Sequence, residues 1–196
     1  MTQDSYLGSA MAVLCTEGRL TLRSAEEVDI PLMARWRSDP GVIEFYSGRD
    51  RPLDEAGVRR HYFARSDEPL IGGVEEYQPC IVEVDRRPFG FVQFYRLRPT
   101  DAIEFGYPLS ERTFGLDFFI GDTALWGQGL GTQLIALAVN YLVVEKHAKR
   151  VVSDPRVDNP RSVRALEKAR FRKVRKLPNH ETFEGSSRDC WLMEYP

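Results

Sequence analysis

Cysteine, histidine and long apolar runs are all scarce in this chain of 196 residues. The three cysteines, Cys15, Cys80 and Cys190, are odd in number, far apart and in no CxxC pair. That pattern excludes a disulfide framework or a zinc knuckle and points to a reducing compartment, the cytoplasm. Its three histidines, His61, His147 and His180, form no cluster with ligand spacing, so no metal is expected. No apolar run reaches the roughly 18 residues that span a bilayer, and no membrane partner is expected. The opening stretch MTQDSYLGSAMAVLC lacks a basic n-region and carries Asp4. It reads as part of a short extension over 1–17 rather than as a secretory signal. A large net charge is also missing: 27 Lys and Arg against 29 Asp and Glu leave −2.

What is present suits a globular chain: 42% hydrophobic and 29% charged residues, in a length fit for one domain with a substantial core. The charge is unevenly placed. Between Glu145 and Lys176 twelve Lys and Arg stand against four Asp and Glu, which leaves fifteen against twenty-five elsewhere. One part therefore suits a polyanion and the remainder a cation. The basic run KARFRKVRK lacks the interleaved aromatics of a base-stacking platform, so no nucleic-acid partner is expected.

Alternation in GRLTLRSA (Gly18–Ala25) predicts a first strand. Ile30, Met33, Ala34 and Trp36 have helical spacing ended by Pro40, and Val58, His61, Tyr62 and Arg65 predict a second helix over Leu53–Ser66. QPCIVEVD and PFGFVQFYRLR read as strands joined by a turn at Asp85-Arg86-Arg87-Pro88. TFGLDFFIG (Thr113–Gly121) is a further strand, followed by a glycine turn and a long helix to about His147. RVVSDP reads as a short buried strand, and Asn159 before Pro160 caps a helix through about Ala169. FRKVRKL and RDCWLMEY close the chain as strands. The order βα(α)βββαβαββ predicts a single α/β domain over 18–196, a mixed central sheet flanked by helices.

In TALWGQGLGTQLIALAVNYLV, three glycines precede a helix, although each weakens a helix by about 1 kcal/mol relative to alanine. A strand–glycine turn–helix unit leaves the first helical amides unpaired. It lets the backbone approach a ligand and sets the positive end of the helix dipole there. Main-chain N–H groups around Gln128, Gly129, Leu130, Gly131 and Thr132 thus form a phosphate cradle; tight packing is the other use of such glycines. The dinucleotide pattern GxGxxG fails because Gly131 is followed by Thr132-Gln133-Leu134, and the P-loop fails because no Gly-Lys-Ser/Thr follows.

Period two in TFGLDFFIG sets Phe114, Leu116, Phe118 and Ile120 on one face and Gly115, Asp117 and Phe119 on the other. Aspartate is disfavoured in strands and an isolated buried carboxylate is costly, so Asp117 needs a cationic partner or a function. Asp154 follows a buried strand at the mouth of the sheet, where open α/β sheets bind ligands, and is also placed as an Asp-Pro turn residue. Phe45 and Tyr46, in a loop-like stretch, and Trp36, at core-like helical spacing, are candidates for the wall of a cation site.

WGQGLGTQLI followed by VVSDPRVDNPRSVRALEKARFRKV resembles the acetyl-CoA-binding half of the GNAT superfamily of N-acetyltransferases. In that superfamily a Q/R-x-x-G-x-G/A turn opens a helix, and a strand, an Asn-led helix and a Y.K.GF-like stretch follow. The match spans about Thr113 to Val174. Within the superfamily the chain is similar to aminoglycoside 6′-N-acetyltransferases, on IEFYSGRD, PCIVEVDRRPFGFVQFY, FGLDFFIG, GQGLGTQLI and SDPRVDNPRSVRALEKARF. The resemblance implies a GNAT-like fold and acetyl-CoA as cosubstrate, with its pyrophosphate on the amides of Gln128–Thr132 and its pantetheine arm on Asn159. A main-chain N–H of Phe119 or Ile120 would hold the oxyanion. It implies direct transfer to an amine without a covalent enzyme intermediate. Asp117 would attract the acceptor ammonium and take its proton, with Asp154 as a second anionic contact and Trp36, Phe45 and Tyr46 around a cationic aminosugar. The implied activity is acetylation of the 6′-amino group of aminoglycosides, conferring resistance. Other amines (a polyamine, a protein N-terminus, a siderophore precursor) and a non-catalytic CoA-binding module stay open, as does the choice of monomer or homodimer. Three residues depart from the pattern: Trp126 for Gln or Arg, Leu166 for the Tyr proposed to protonate the leaving thiolate, and Arg170 for the Gly before Phe171.

Overall fold

The computed structural model describes residues 12–63 and 76–196; Arg65 and Ser66 of the second expected helix, and residues 1–11 of the expected extension, lie outside them. Eight strands form one mixed sheet: β1 (Val13–Glu17), β2 (Leu20–Ser24), β3 (Gln78–Val84), β4 (Arg87–Arg96), β5 (Thr113–Ile120), β6 (Arg150–Ser153), β7 (Arg172–Phe183) and β8 (Ser186–Tyr195). Their order is β1-β2-β3-β4-β5-β6-β8-β7, and among the described residues only β5 and β6 run parallel. The flanking helices are α1 (Ile30–Ser38), α2 (Pro40–Ile43), α3 (Glu55–Val58, continued by a π-helical turn Arg59–Phe63), α4 (Pro99–Phe105), α5 (Leu130–Val144) and α6 (Pro160–Lys168).

Local chemistry accounts for the boundaries. Asp85 and Arg86 both have positive φ (48° and 62°), the geometry a two-residue hairpin requires, so β4 starts at Arg87, inside the expected four-residue turn. The side chains of Asp39, Asp54 and Asn159 accept from main-chain N–H groups and cap α2, α3 and α6. α6 ends in a Schellman motif: Arg170 N–H donates to Glu167 O and Phe171 N–H to Leu166 O, both at 3.0 Å. Arg170 is the left-handed residue of that motif (φ 72°), which is why the superfamily pattern has glycine there.

Two apolar layers cover the sheet. On one face Phe94, Phe114 and Leu116 pack with Leu134, Ile135, Ala138 and Leu142 of α5 and with Leu166 and Phe171. Each such buried side chain is worth about 1.5–3 kcal/mol, which outweighs the glycines at the helix start. On the other face Phe91, Phe119 and Ile81 meet Met33 and Trp36 of α1, Val58 and Tyr62. Phe114 and Leu116 thus lie opposite Phe119, as period two requires. Arg23 on β2 is buried and bonds Asp29 and Glu83, each at 2.7 Å, which ties the start of α1 to β2 and β3.

Three features differ from the sequence reading. Val13–Glu17, placed in the extension, is a strand paired with β2; its apolar residues Val13, Leu14 and Cys15 are consecutive and show no period-two alternation. α4 was not anticipated, because in seven residues it buries only Ala102. β7 continues past Leu177 to Phe183, carrying His180 and Glu181 back over the sheet.

Candidate active site

The parallel pairing of β5 with β6 covers only Thr113–Gly115, beyond which the two strands separate. Along β5 the odd residues face β4: Leu97 N–H donates to Thr113 O and Gly121 N–H to Phe89 O, both at 2.9 Å, with Phe91 opposite Phe119. By strand alternation the peptide groups of Phe118 and Ile120 turn to the open side. Ile120 O there accepts from Trp126 Nε1 at 3.1 Å. The main chain of Phe119 is committed to the ladder, which corrects its expected oxyanion role; the free N–H groups at the split are those of Phe118 and Ile120. The Phe119 ring stacks on Phe91 at 5.1 Å and borders the cleft.

A cleft of about 330 Å³ occupies the split. Gly127 and Gly129 are left-handed (φ 78° and 80°), and Gly129 is the N-cap of α5. Such a turn exposes successive amides in a concave nest at the positive end of the helix. Gly129, Gly131, Thr132 and Asn159 line the cleft with Arg161, Arg164 and Lys168, cations along one side of α6. Gln128 and Leu130 direct their side chains elsewhere, Gln128 Nε2 to Ala124 O at 3.0 Å and Leu130 against the core. Trp126 gives no polar side chain to a phosphate, but the Arg161 guanidinium stacks 3.9 Å above its ring and lies in the cleft. Bare amides and three basic side chains fit a polyphosphate ligand. Leu166 is fully buried and borders neither cavity.

A second cavity of about 300 Å³ shares Phe45, Tyr46, Phe118, Asn159 and Ser162 with the first. Asp117, Asp154 and Glu181 line it together. Asp117 Oδ2 accepts from Gln93 Nε2 at 2.7 Å, and Tyr77 donates to Gln93 Oε1 at 3.0 Å. Burial first, then the charge of Asp154, push the Asp117 carboxyl up to about 7, against the Gln93 bond that favours the anion. Glu181 is likewise pushed up to about 7, by burial and then Asp154. His180 bridges Asp154 (Nε2 to Oδ2, 3.0 Å) and Glu104 (Nδ1 to Oε1, 3.3 Å), and the Asp154 bond raises its pKa. Phe45 and Tyr46 stand in both walls, with Tyr46 edge-on to Phe119 at 4.7 Å. Trp36 is a correction: it is 3% exposed, meets Phe119 edge-on, lies where a Cβ on Gly121 would be, and lines neither cavity. Gln93, Glu181, His180 and Arg37 were not singled out in the sequence. Register and the long β7–β8 hairpin bring the first three to the site, and no local motif announces them.

A split sheet with an amide-lined cleft in the gap, sharing a wall with a second cavity that gathers three carboxylates, is an arrangement suited to a group-transfer enzyme. The family is shown directly: residues 25–178 match the acetyltransferase (GNAT) domain model, and the chain belongs to that family as an acetyltransferase. It is 25% identical over 152 residues to an aminoglycoside N(6')-acetyltransferase type 1 of Klebsiella pneumoniae, covering 78% of this chain and 73% of that one. It is 28% identical over 161 residues to an N(6)-hydroxylysine O-acetyltransferase of Escherichia coli, covering 81% of this chain but only 48% of that protein. Among solved structures, an aminoglycoside acetyltransferase in complex with coenzyme A shares the fold with a TM-score of 0.69 at 22% identity, over 90% of this chain and 94% of that one. A ribosomal alpha-N-protein acetyltransferase with coenzyme A gives 0.72 at 15% identity, over 93% and 97%. Among the described residues no helix is long and apolar enough to cross a membrane.

Proposed function

We propose that this acetyltransferase transfers the acetyl group of acetyl-CoA to the 6′-amine of aminoglycosides, in the cytoplasm, and thereby confers resistance. The observation that carries the reading is the grouping of three carboxylates in the second cavity, where Asp117, Asp154 and Glu181 sit beside the wall shared with the cleft. Acetyl-CoA supplies an acyl group activated as a thioester. The amides at Gly129–Thr132, with Arg161, Arg164 and Lys168, hold its phosphates, and Asn159 stands where its pantetheine arm passes. The N–H groups of Phe118 and Ile120 stabilise the developing oxyanion. Asp154 and Glu181 attract the cationic acceptor, while Asp117, with a pKa near neutrality, takes the ammonium proton and leaves a nucleophilic amine. Attack of that amine on the thioester carbonyl breaks the C–S bond, and the departing thiolate takes up the proton that the acetylated nitrogen sheds. Trp126 and Leu166 remove two side chains common in the superfamily, and the stacked Arg161 compensates for the first.

Relatives named for 6′ acetylation and solved neighbours holding ribostamycin or paromomycin support the aminosugar as acceptor. The test is thiol release from acetyl-CoA with kanamycin, spermine and a peptide panel. Release with kanamycin, and none with a drug lacking the 6′-amine, is expected. Release with peptides alone overturns the reading, and coenzyme binding without turnover on any amine favours a non-catalytic module.

A further inference from the structure

The acceptor chamber is bipolar. Arg37, Arg51 and Arg156 share the lining with its carboxylates; Arg51 is exposed and Arg156 is paired with Asp158, whereas Arg37 of α1 is only 3% exposed. Among the described residues Arg37 makes no ion pair with a carboxylate. One Nη donates to the Tyr62 hydroxyl, and Nε has no hydrogen-bond partner. Its Cζ lies 4.8 Å from the Tyr46 ring centroid and 5.7 Å from that of Tyr62. Tyr46 and Tyr62 are held neutral mainly by burial, and His61, in the same lining, has its pKa lowered by burial and by Arg37. A buried cation without a counter-charge is costly, and ring faces and one hydroxyl offset only part of that cost. A fork of donors in such a position suits a ligand rich in oxygen lone pairs. It repels an ammonium.

We propose that Arg37 selects the acceptor: it donates to hydroxyl or ring oxygens of an amine-bearing, oxygen-rich molecule whose ammonium lies at Asp117, and it excludes plain polyamines, which would set a second ammonium against the guanidinium. This rests on the reading of Asp117 and its chamber as the acceptor site. It adds the feature that separates an aminosugar from spermine, which the carboxylates alone attract equally well.

The test is equilibrium binding and turnover of kanamycin and spermine on the wild type, Arg37→Met and Tyr62→Phe. Wild type is expected to favour kanamycin. Arg37→Met is expected to weaken kanamycin binding and kcat/KM about 10- to 100-fold, the worth of hydrogen bonds from a charged donor, while spermine is unchanged or improved. Tyr62→Phe is expected to keep the preference. Arg37→Met is expected to melt no lower than wild type, because an uncompensated buried charge is removed. Equal losses for both acceptors together with a lower melting temperature assign Arg37 a structural role and overturn the proposal, as does wild-type binding of spermine as tight as that of kanamycin. Preferential kanamycin binding that depends on Arg37 but leads to no turnover upholds the selector and overturns the proposed reaction. Failure of both acceptors to bind overturns both.

Discussion

In the proposed reaction the proton transfer rests on a single side chain, Asp117. Its carboxyl is raised from an ordinary 3.8 to about 7 by burial and by Asp154, so it can hold the acceptor's proton near neutral pH. Asp117→Asn keeps an oxygen for Gln93 and removes the base. Turnover on the best amine is expected to fall about 10²- to 10⁴-fold, with coenzyme binding unchanged. At pH 8 the same variant is expected to gain stability, on the order of 2 kcal/mol, because a carboxylate held ionised against burial costs the fold. Wild-type turnover in this variant would sink the assignment. Asp117 was legible in the sequence because a carboxylate in an apolar strand is anomalous by itself. Glu181 and His180 were not, since they sit in a polar stretch of ordinary composition and gain meaning only where the long β7–β8 hairpin brings them beside Asp154. Trp36 was misplaced for a related reason: helical spacing shows that a ring is buried but not whether it borders a cavity. Arg37, one residue further along, borders it.

Elements turn on a few backbone positions. Arg170 occupies the left-handed position of the Schellman motif that ends α6, with its side chain exposed. Arg170→Gly is expected to stabilise the protein by about 1 kcal/mol, the left-handed penalty less the added freedom of the unfolded chain, with turnover unaffected. Thermal unfolding reads this directly. At the start of α5 two glycines are predicted to differ. Gly129→Ala forces a methyl-bearing residue to φ 80° at the cradle, so both stability and coenzyme affinity should fall. A Cβ on Gly131 meets only Ile120 and Ala165, at 3.6 and 3.8 Å, so Gly131→Ala should keep stability while it narrows the cleft floor. Isothermal titration with coenzyme A alongside thermal melts separates these outcomes. Elements with strong periodicity or caps, α1, α5, α6 and β3 to β6, were visible in the residues. β1 and α4 were not, because β1 has consecutive apolar residues without alternation and α4 buries only Ala102. The short parallel overlap of β5 with β6, which opens the cleft, is a matter of strand divergence that neither segment encodes alone.

Across the whole molecule, the cations of α6 border the first cleft, while Asp117, Asp154 and Glu181 gather in the second cavity together with Arg37, Arg51 and Arg156. Gathering like charges makes activity and stability respond to pH in opposite directions. In the proposed reaction the free enzyme works with Asp117 ionised, so kcat/KM is expected to rise with pH through an acid limb near 7. Glu181→Gln removes a neighbouring negative charge and should move that limb to lower pH. Stability runs the other way. Asp117, Glu181 and His180 all have folded pKa values raised above their ordinary 3.8, 4.5 and 6.5, so the folded state binds their protons more tightly than the unfolded chain. Each contribution is fully present below the unfolded value; those of Asp117 and Glu181 are lost as pH rises through about 7, and that of His180 as pH rises through its raised folded value. Asp158 and Glu184, lowered by Arg156 and Arg49, act oppositely, and their contribution is lost only as pH falls below about 4. The melting temperature should therefore peak on the acid side of neutrality and decline toward pH 8, where catalysis is fastest. Asp117→Asn and Glu181→Gln should each flatten the decline. Parallel melts and initial rates from pH 5 to 9 check both limbs, and a melting temperature that climbs toward pH 8 in the wild type would show that the clustered carboxylates do not strain the fold.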